Sequence, residues 1–263
     1  MTLDLPAPLA DALGVALGQP ASLGLLAMVA CAFIAGGLVK GLLGVGLPLV
    51  IVPLLALIIP SPKAIALMGM PILLSNLWQS LDGGHIRYAM RRFVWLLVPM
   101  VVATALTVRM TLGLPVSTLN IMVACAVLLA VVLIAWKPAS AIAPKHEPRW
   151  NFIVGLLSGA LGGVSSMMGP LIISYLVALR LPREQFIGSI SVIYLAGALP
   201  LFISMVALGI LGWPEAILST LSLAPMFIGM SAGKRLRSHV SEAAFRKLLL
   251  GFLTLVGVML LVK

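Results

Sequence analysis

Residues 37–48 read Gly37-Leu38-Val39-Lys40-Gly41-Leu42-Leu43-Gly44-Val45-Gly46-Leu47-Pro48, and residues 155–170 read Gly155-Leu156-Leu157-Ser158-Gly159-Ala160-Leu161-Gly162-Gly163-Val164-Ser165-Ser166-Met167-Met168-Gly169-Pro170. Each stretch leads from an apolar segment into clustered glycines and closes on a proline. Glycine lowers helix stability by about 1 kcal/mol per residue and proline by about 3 kcal/mol, so a helix entering residues 40–48 or 162–170 should unwind there. Unwinding exposes backbone N–H groups, and the helix that restarts presents the positive end of its dipole. Pro48 and Pro170 suit the first turn of that new helix, where a missing N–H costs nothing.

The surroundings of both stretches are membrane-like. The chain has 263 residues, of which 62% are hydrophobic and 9% charged, and its mean hydropathy is +1.19. Soluble domains run near 45–50% apolar and about 25% charged, so a water-soluble fold is excluded. Apolar runs fall at 23–39, 43–59, 63–81, 93–111, 117–136, 151–164, 167–180, 185–209, 214–232 and 246–262. They are continuous rather than alternating with period two, which predicts helices and excludes a lipid-facing barrel. The runs 43–59, 151–164 and 167–180 are short for a span of about 20 residues, as half-helices or re-entrant arms would be. The expected fold is an all-α polytopic membrane protein with about eight to ten membrane helices, broken or re-entrant at the glycine-rich motifs.

Shifting the sequence by 122 residues brings Gly37 onto Gly159, Gly41 onto Gly163, Pro48 onto Pro170 and Pro60 onto Pro182. Two repeats, about 23–136 and 151–262, then share one transmembrane transporter domain spanning 1–263. Five segments per repeat is an odd number, so the second repeat enters with inverted topology, an arrangement that places substrate near the midplane in many transporters. Charge sets the orientation. Fourteen of the 17 basic residues fall in alternate loops, and only Lys63, Arg109 and Lys263 fall on the other side. By the positive-inside rule the basic loop 137–150 is cytoplasmic and both termini are not. The net charge of +10 is thereby explained without nucleic acid.

The two glycine-rich stretches resemble the paired signatures of the sulfite exporter TauE/SafE family. The likeness extends over essentially the whole chain in length, two-half layout and basic central loop. Leu47 and Pro48 stand where the family has consecutive glycines, and residues 166–168 where a second glycine cluster is common. The resemblance implies an exporter of a small oxyanion, sulfite or an organosulfonate, in the cell inner membrane.

Candidate substrate ligands follow from the residues themselves. Gly44, Gly46 and Gly169 border the exposed N–H groups, and Ser165 and Ser166 offer hydroxyl donors or caps. Lys40, embedded in the first break, either draws in an anion or snorkels to the interface. Asn76 and Gln79 share one helical face with Ser80, able to bind an oxyanion without burying a cation or to join helices by hydrogen bonds. Ser189, Ser191 and Tyr194 make a weaker polar group. Gly41, Pro48, Gly163 and Pro170 are the expected hinges, although Gly37/Gly41 and Gly155/Gly159/Gly163 equally suit close helix packing. Trp78, Trp95, Trp136, Trp150 and Trp213 read as interfacial anchors, and Cys31 and Cys125 as small buried hydrophobes.

Absences narrow the classes. The seven acidic residues fall in tails, loops or segment edges, and no histidine or cysteine set has metal-ligand spacing. No Walker-type phosphate loop occurs. No cofactor, metal or catalytic residue is expected, only a small anion, the bilayer and an unspecified degree of self-association. The alternatives are a transporter of another cargo, such as a cation, and a membrane-embedded assembly protein without transport. Residues 1–20 lack a basic signal-peptide start and are expected to form a retained surface segment.

Overall fold

The computed structural model describes residues 7–43, 46–82, 85–111, 113–135, 142–236 and 242–262. Every regular element among them is helical. In chain order these are α1 (Ala7–Leu17), α2 (Leu23–Leu43), α3 (Leu47–Ile58), α4 (Ser61–Ala66), α5 (Gly69–Asp82), α6 (Ile86–Arg92), α7 (Val94–Met110), α8 (Val116–Ala135), α9 (Glu147–Ser165), α10 (Gly169–Ala178), α11 (Arg183–Ala207), α12 (Trp213–Leu221), α13 (Leu223–Leu236) and α14 (Glu242–Val262). Five runs are long and apolar enough to cross a bilayer: Leu23–Leu42, Ser61–Leu81, Val116–Ala135, Glu184–Ala207 and Trp213–Leu236. The pair α6 and α7, bent by 81°, makes a sixth if it is one broken span. Leu47–Ile58, Gly169–Ala178 and Leu249–Val262 are shorter apolar helices. The helices α3 and α10 are thus the short elements expected beyond the two glycine-rich breaks.

The chain forms two compact units, and each takes residues from both sequence halves. One comprises Met1–Pro71, Leu114–Leu128 and Met205–Lys263, the other Ile72–Gly113 and Leu129–Ser204. In the first, α2 lies along α13 at backbone contact. A Cβ on Gly37 would sit 2.2 Å from the Met226 carbonyl oxygen, and one on Gly41 would sit 2.3 Å from that of Met230. The partner helix is equally bare, since a Cβ on Gly229 would meet the Ile34 carbonyl oxygen at 2.0 Å and one on Gly233 that of Leu38 at 2.2 Å. In lipid, where helices gain nothing by hiding apolar surface from one another, such backbone proximity supplies the dispersion contact that holds them.

The second unit uses the same device between α9 and α7. Added Cβ atoms on Gly155 and Gly159 would lie 2.2 Å and 2.3 Å from the carbonyl oxygens of Leu96 and Met100. The buried Thr104 hydroxyl donates to Met100 O at 2.8 Å in its own helix and to Gly159 O at 3.2 Å across the contact. Helix α9 begins at Glu147, four residues before the apolar run. Its first turn carries an acidic residue and a proline, both suited to a helix start. The Glu147 carboxylate also accepts from Arg92 Nε at 2.7 Å and from Nη2 at 3.0 Å.

Two expectations need correction. Of the expected surface segment 1–20, the described part from Ala7 onward does more than lie on the surface: α1 packs on α4 and α12, with Ala16 and Leu17 fully buried. An apolar helix of 11 residues has a face to hide even without spanning. Cys31 and Cys125 are exposed, not buried. A small apolar side chain on a lipid-facing helix loses nothing by facing outward, because the solvent there is hydrocarbon.

Replacing Gly229 by alanine is expected to destabilise the first unit by about 1–3 kcal/mol through forced separation of α2 and α13. Gly24→Ala, where an added Cβ meets nothing within 4 Å, should stabilise by about 0.5–1 kcal/mol. Thermal melting of both variants in detergent checks the contrast.

Candidate functional site

Both breaks fall within the stretches that the sequence marks, and among the described residues each carries one left-handed residue. In the first unit α2 ends at Leu43 and Gly46 precedes α3 with φ of 97°. That conformation is natural only to glycine. Pro48 is the second residue of α3, and no side chain caps this helix start. Gly44 lies outside the described residues. Lys40, in the last turn of α2, is buried, so it does not extend to the surface as a snorkelling lysine would. Gly41 stands inside α2 at its contact with α13.

The second unit has the corresponding break. Ser166 closes α9 in the left-handed region with φ of 60°, and its N–H donates to Gly162 O at 2.8 Å. A serine held there is strained relative to glycine, and such strain concentrates at functional positions. Ser165 is consumed locally: its hydroxyl donates to Leu161 O at 2.8 Å and accepts from Met167 N at 3.2 Å. Helix α10 then restarts with Gly169 first and Pro170 second, again without a side-chain cap. Its first N–H groups are unclaimed by side chains and point out of the helix start. Gly163 lies inside α9, where a Cβ would meet Thr104 O at 2.9 Å.

Beneath this break the Met168 side chain fills a slot between two glycines. Added Cβ atoms would meet it at 2.6 Å from Gly162 on α9 and at 2.3 Å from Gly197 on α11. Gly169 is bare for another reason: a Cβ there would come 2.7 Å from the Tyr194 hydroxyl oxygen. That hydroxyl and those of Ser158 and Ser189 are buried without hydrogen-bond partners among the described residues.

The polar face of α5 turns inward as its spacing requires. Ser75, Asn76 and Ser80 are buried while Leu74, Leu77, Trp78 and Leu81 are exposed. Ser80 donates to Leu77 O at 2.8 Å within its own helix. Gln79 Oε1 meets the Ser191 hydroxyl of α11 at 3.5 Å, the limit of a hydrogen bond. Asn76 and Gln79 are therefore inside the second unit with the weaker α11 group, a pairing the 122-residue shift did not give. Sequence reasoning missed two further polar groups. In the second unit Asn151, buried on α9, accepts from the Tyr175 hydroxyl at 2.8 Å. In the first, Lys63 pairs with buried Glu215, whose other oxygen accepts from Gly212 N at 2.8 Å. The signal for the latter was Lys63, one of the three basic residues that stand outside the alternating basic loops.

Among the described residues no group of three or more histidine, cysteine or acidic side chains could hold a metal ion. What remains is a set of neutral donors around interrupted apolar helices, the equipment of a polytopic membrane transporter. The family model for sulfite exporter TauE/SafE matches residues 28–260. The chain belongs to that family, which makes it a membrane exporter of the sulfite and anion type. No curated protein matches it, and no solved structure does.

The packing predicts a measurable coupling. Gly169→Ala should destabilise the protein by about 1–3 kcal/mol through contact with the Tyr194 oxygen. In a Tyr194→Phe background the same change should cost much less, because the ring carbon beneath that oxygen stands 3.5 Å away. A double-mutant cycle by thermal melting reads the interaction.

Proposed function

We propose that the chain exports a small oxyanion, sulfite or an organosulfonate, from the cytoplasm by alternating access across the inner membrane. The observation that carries this reading is the uncapped start of α10 beside Ser166, within the same unit as Asn76 and Gln79. Helix N-termini bind anions through orphan N–H groups and the dipole. Neutral amide and hydroxyl donors add hydrogen bonds to those of the helix end. In this reading Lys40, in the last turn of α2, with Gly44 and Gly46 before α3, makes the corresponding anion-binding break of the first repeat.

Local structure supports the repeat. Pro48 and Pro170 are each the second residue of a short helix. The carbonyls of Pro60 and Pro182 accept from Ala64 N at 3.0 Å and Phe186 N at 2.9 Å, each opening the next helix. Gly37 and Gly159, likewise related by the shift, each face a neighbouring helix backbone. We read these as inverted repeats, with both termini outside the cytoplasm and Gly41, Pro48, Gly163 and Pro170 near the moving joints.

Moving one negative charge outward gains about 2.3 kcal/mol per 100 mV when the inside is negative. Membrane potential alone then suffices, and no coupling carboxylate is required. The test is flux of sulfite and sulfoacetate from proteoliposomes with the potential clamped at either sign. Wild-type flux should follow the potential, and Asn76→Leu or Lys40→Ala should lower it at least tenfold with folding intact. Equal flux at both signs overturns the electrogenic mechanism, and no flux of either anion overturns the cargo.

A further inference from the structure

We propose that the Tyr194 hydroxyl is a direct ligand of the transported oxyanion, donating its hydrogen bond at the start of α10, which the bare Gly169 lets it approach. This rests on the anion-export reading and names a side-chain donor for its site. A buried hydroxyl without a partner costs about 1–3 kcal/mol, and native interiors keep few of them. Tyr194 bears that cost beside a helix start that is itself unsatisfied.

Direction makes the pairing specific. The hydroxyl oxygen is the atom nearest to a Cβ built on Gly169, at 2.7 Å, with the ring carbon that carries it at 3.5 Å. The phenol therefore points its polar end at the first residue of α10. That helix start offers N–H donors and no side-chain cap, yet the Tyr194 oxygen accepts none of them. Backbone N–H groups and a phenol O–H thus meet with no acceptor between them. An oxygen-bearing anion, which accepts from N–H and O–H alike, is the complement to such a set. Ser165 cannot fill the role, because both its donor and an acceptor site are engaged. A Cβ at position 169 would collide with the phenol oxygen, so the glycine is what lets the hydroxyl reach the helix start.

The phenol sits on α11, one turn beyond Ser191, which meets Gln79. Ser191 and Tyr194 share one face of α11, and Gln79 of α5 meets that face at Ser191. Gln79 offers the anion an amide, and Tyr194 offers it a hydroxyl at the helix end.

The experiment measures thermal stabilisation of purified full-length protein by sodium sulfite and by methanesulfonate, against chloride at equal ionic strength. Wild type should gain stability with saturation in the oxyanions. Tyr194→Phe should fold as well without anion, but its half-saturating concentration should rise about tenfold. An unchanged half-saturation in Tyr194→Phe overturns the proposal while leaving the export reading in place. If wild type neither gains stability from these oxyanions nor carries them in liposomes, the export reading falls and takes this proposal with it. Should Tyr194→Phe fail to fold, wild type labelled with 3-fluorotyrosine provides the answer by fluorine NMR. Of its three tyrosine signals, the one that survives in both Tyr88→Phe and Tyr175→Phe should shift on sulfite addition. A signal that stays fixed overturns the assignment.

Discussion

Everything else in this structure depends on helix backbones brought into direct contact. In hydrocarbon no apolar surface is hidden from water by packing, so short or interrupted helices cannot be held by burial alone. The chain answers by removing side chains. Four glycines let α2 and α13 touch, and Gly155, Gly159 and Gly163 let α9 touch α7. These contacts fix the helix that precedes each break. With α2 and α9 clamped, the helices that follow, α3 and α10, restart from a fixed base.

The breaks in turn decide the chemistry. A continuous helix satisfies its own backbone and has nothing to offer a ligand. An interrupted one leaves N–H groups that protein, lipid and water do not readily satisfy at that depth. In the proposed reading, leaving them available to a passing anion turns a folding liability into a binding surface. The remaining polar equipment of the second unit is consistent with this use: amides and hydroxyls, with its best ion pair, Arg92 to Glu147, at the start of α9.

Much of this was legible in the sequence because it follows from local rules. The ten apolar runs reappear as helices or helix pairs, and Pro48 and Pro170 occupy first turns because proline has few other tolerable places in a helix. The inward turn of Asn76 and Ser80 follows from spacing alone. What could not be read was partnership. Nothing in the order of residues says that Gly37 faces Met226, that Gln79 meets Ser191, or that Lys63 pairs with Glu215 across 152 positions. Cys31 and Cys125 were misread because burial was judged by the rules of water. Tyr194 was noticed but not valued, since an unsatisfied hydroxyl is a property of its surroundings and leaves no mark in its neighbours.

The slot that holds Met168 ties three positions together. Gly162 and Gly197 leave no room for a methyl group on either wall, and only an unbranched, pliable chain threads between them. Growth at 162 or 197 therefore requires the Met168 side chain to give way, which its pliable thioether allows and a branched or rigid residue at 168 would not. The substitutions that the three positions accept are coupled through that one side chain, although Gly197 stands far from the other two in sequence.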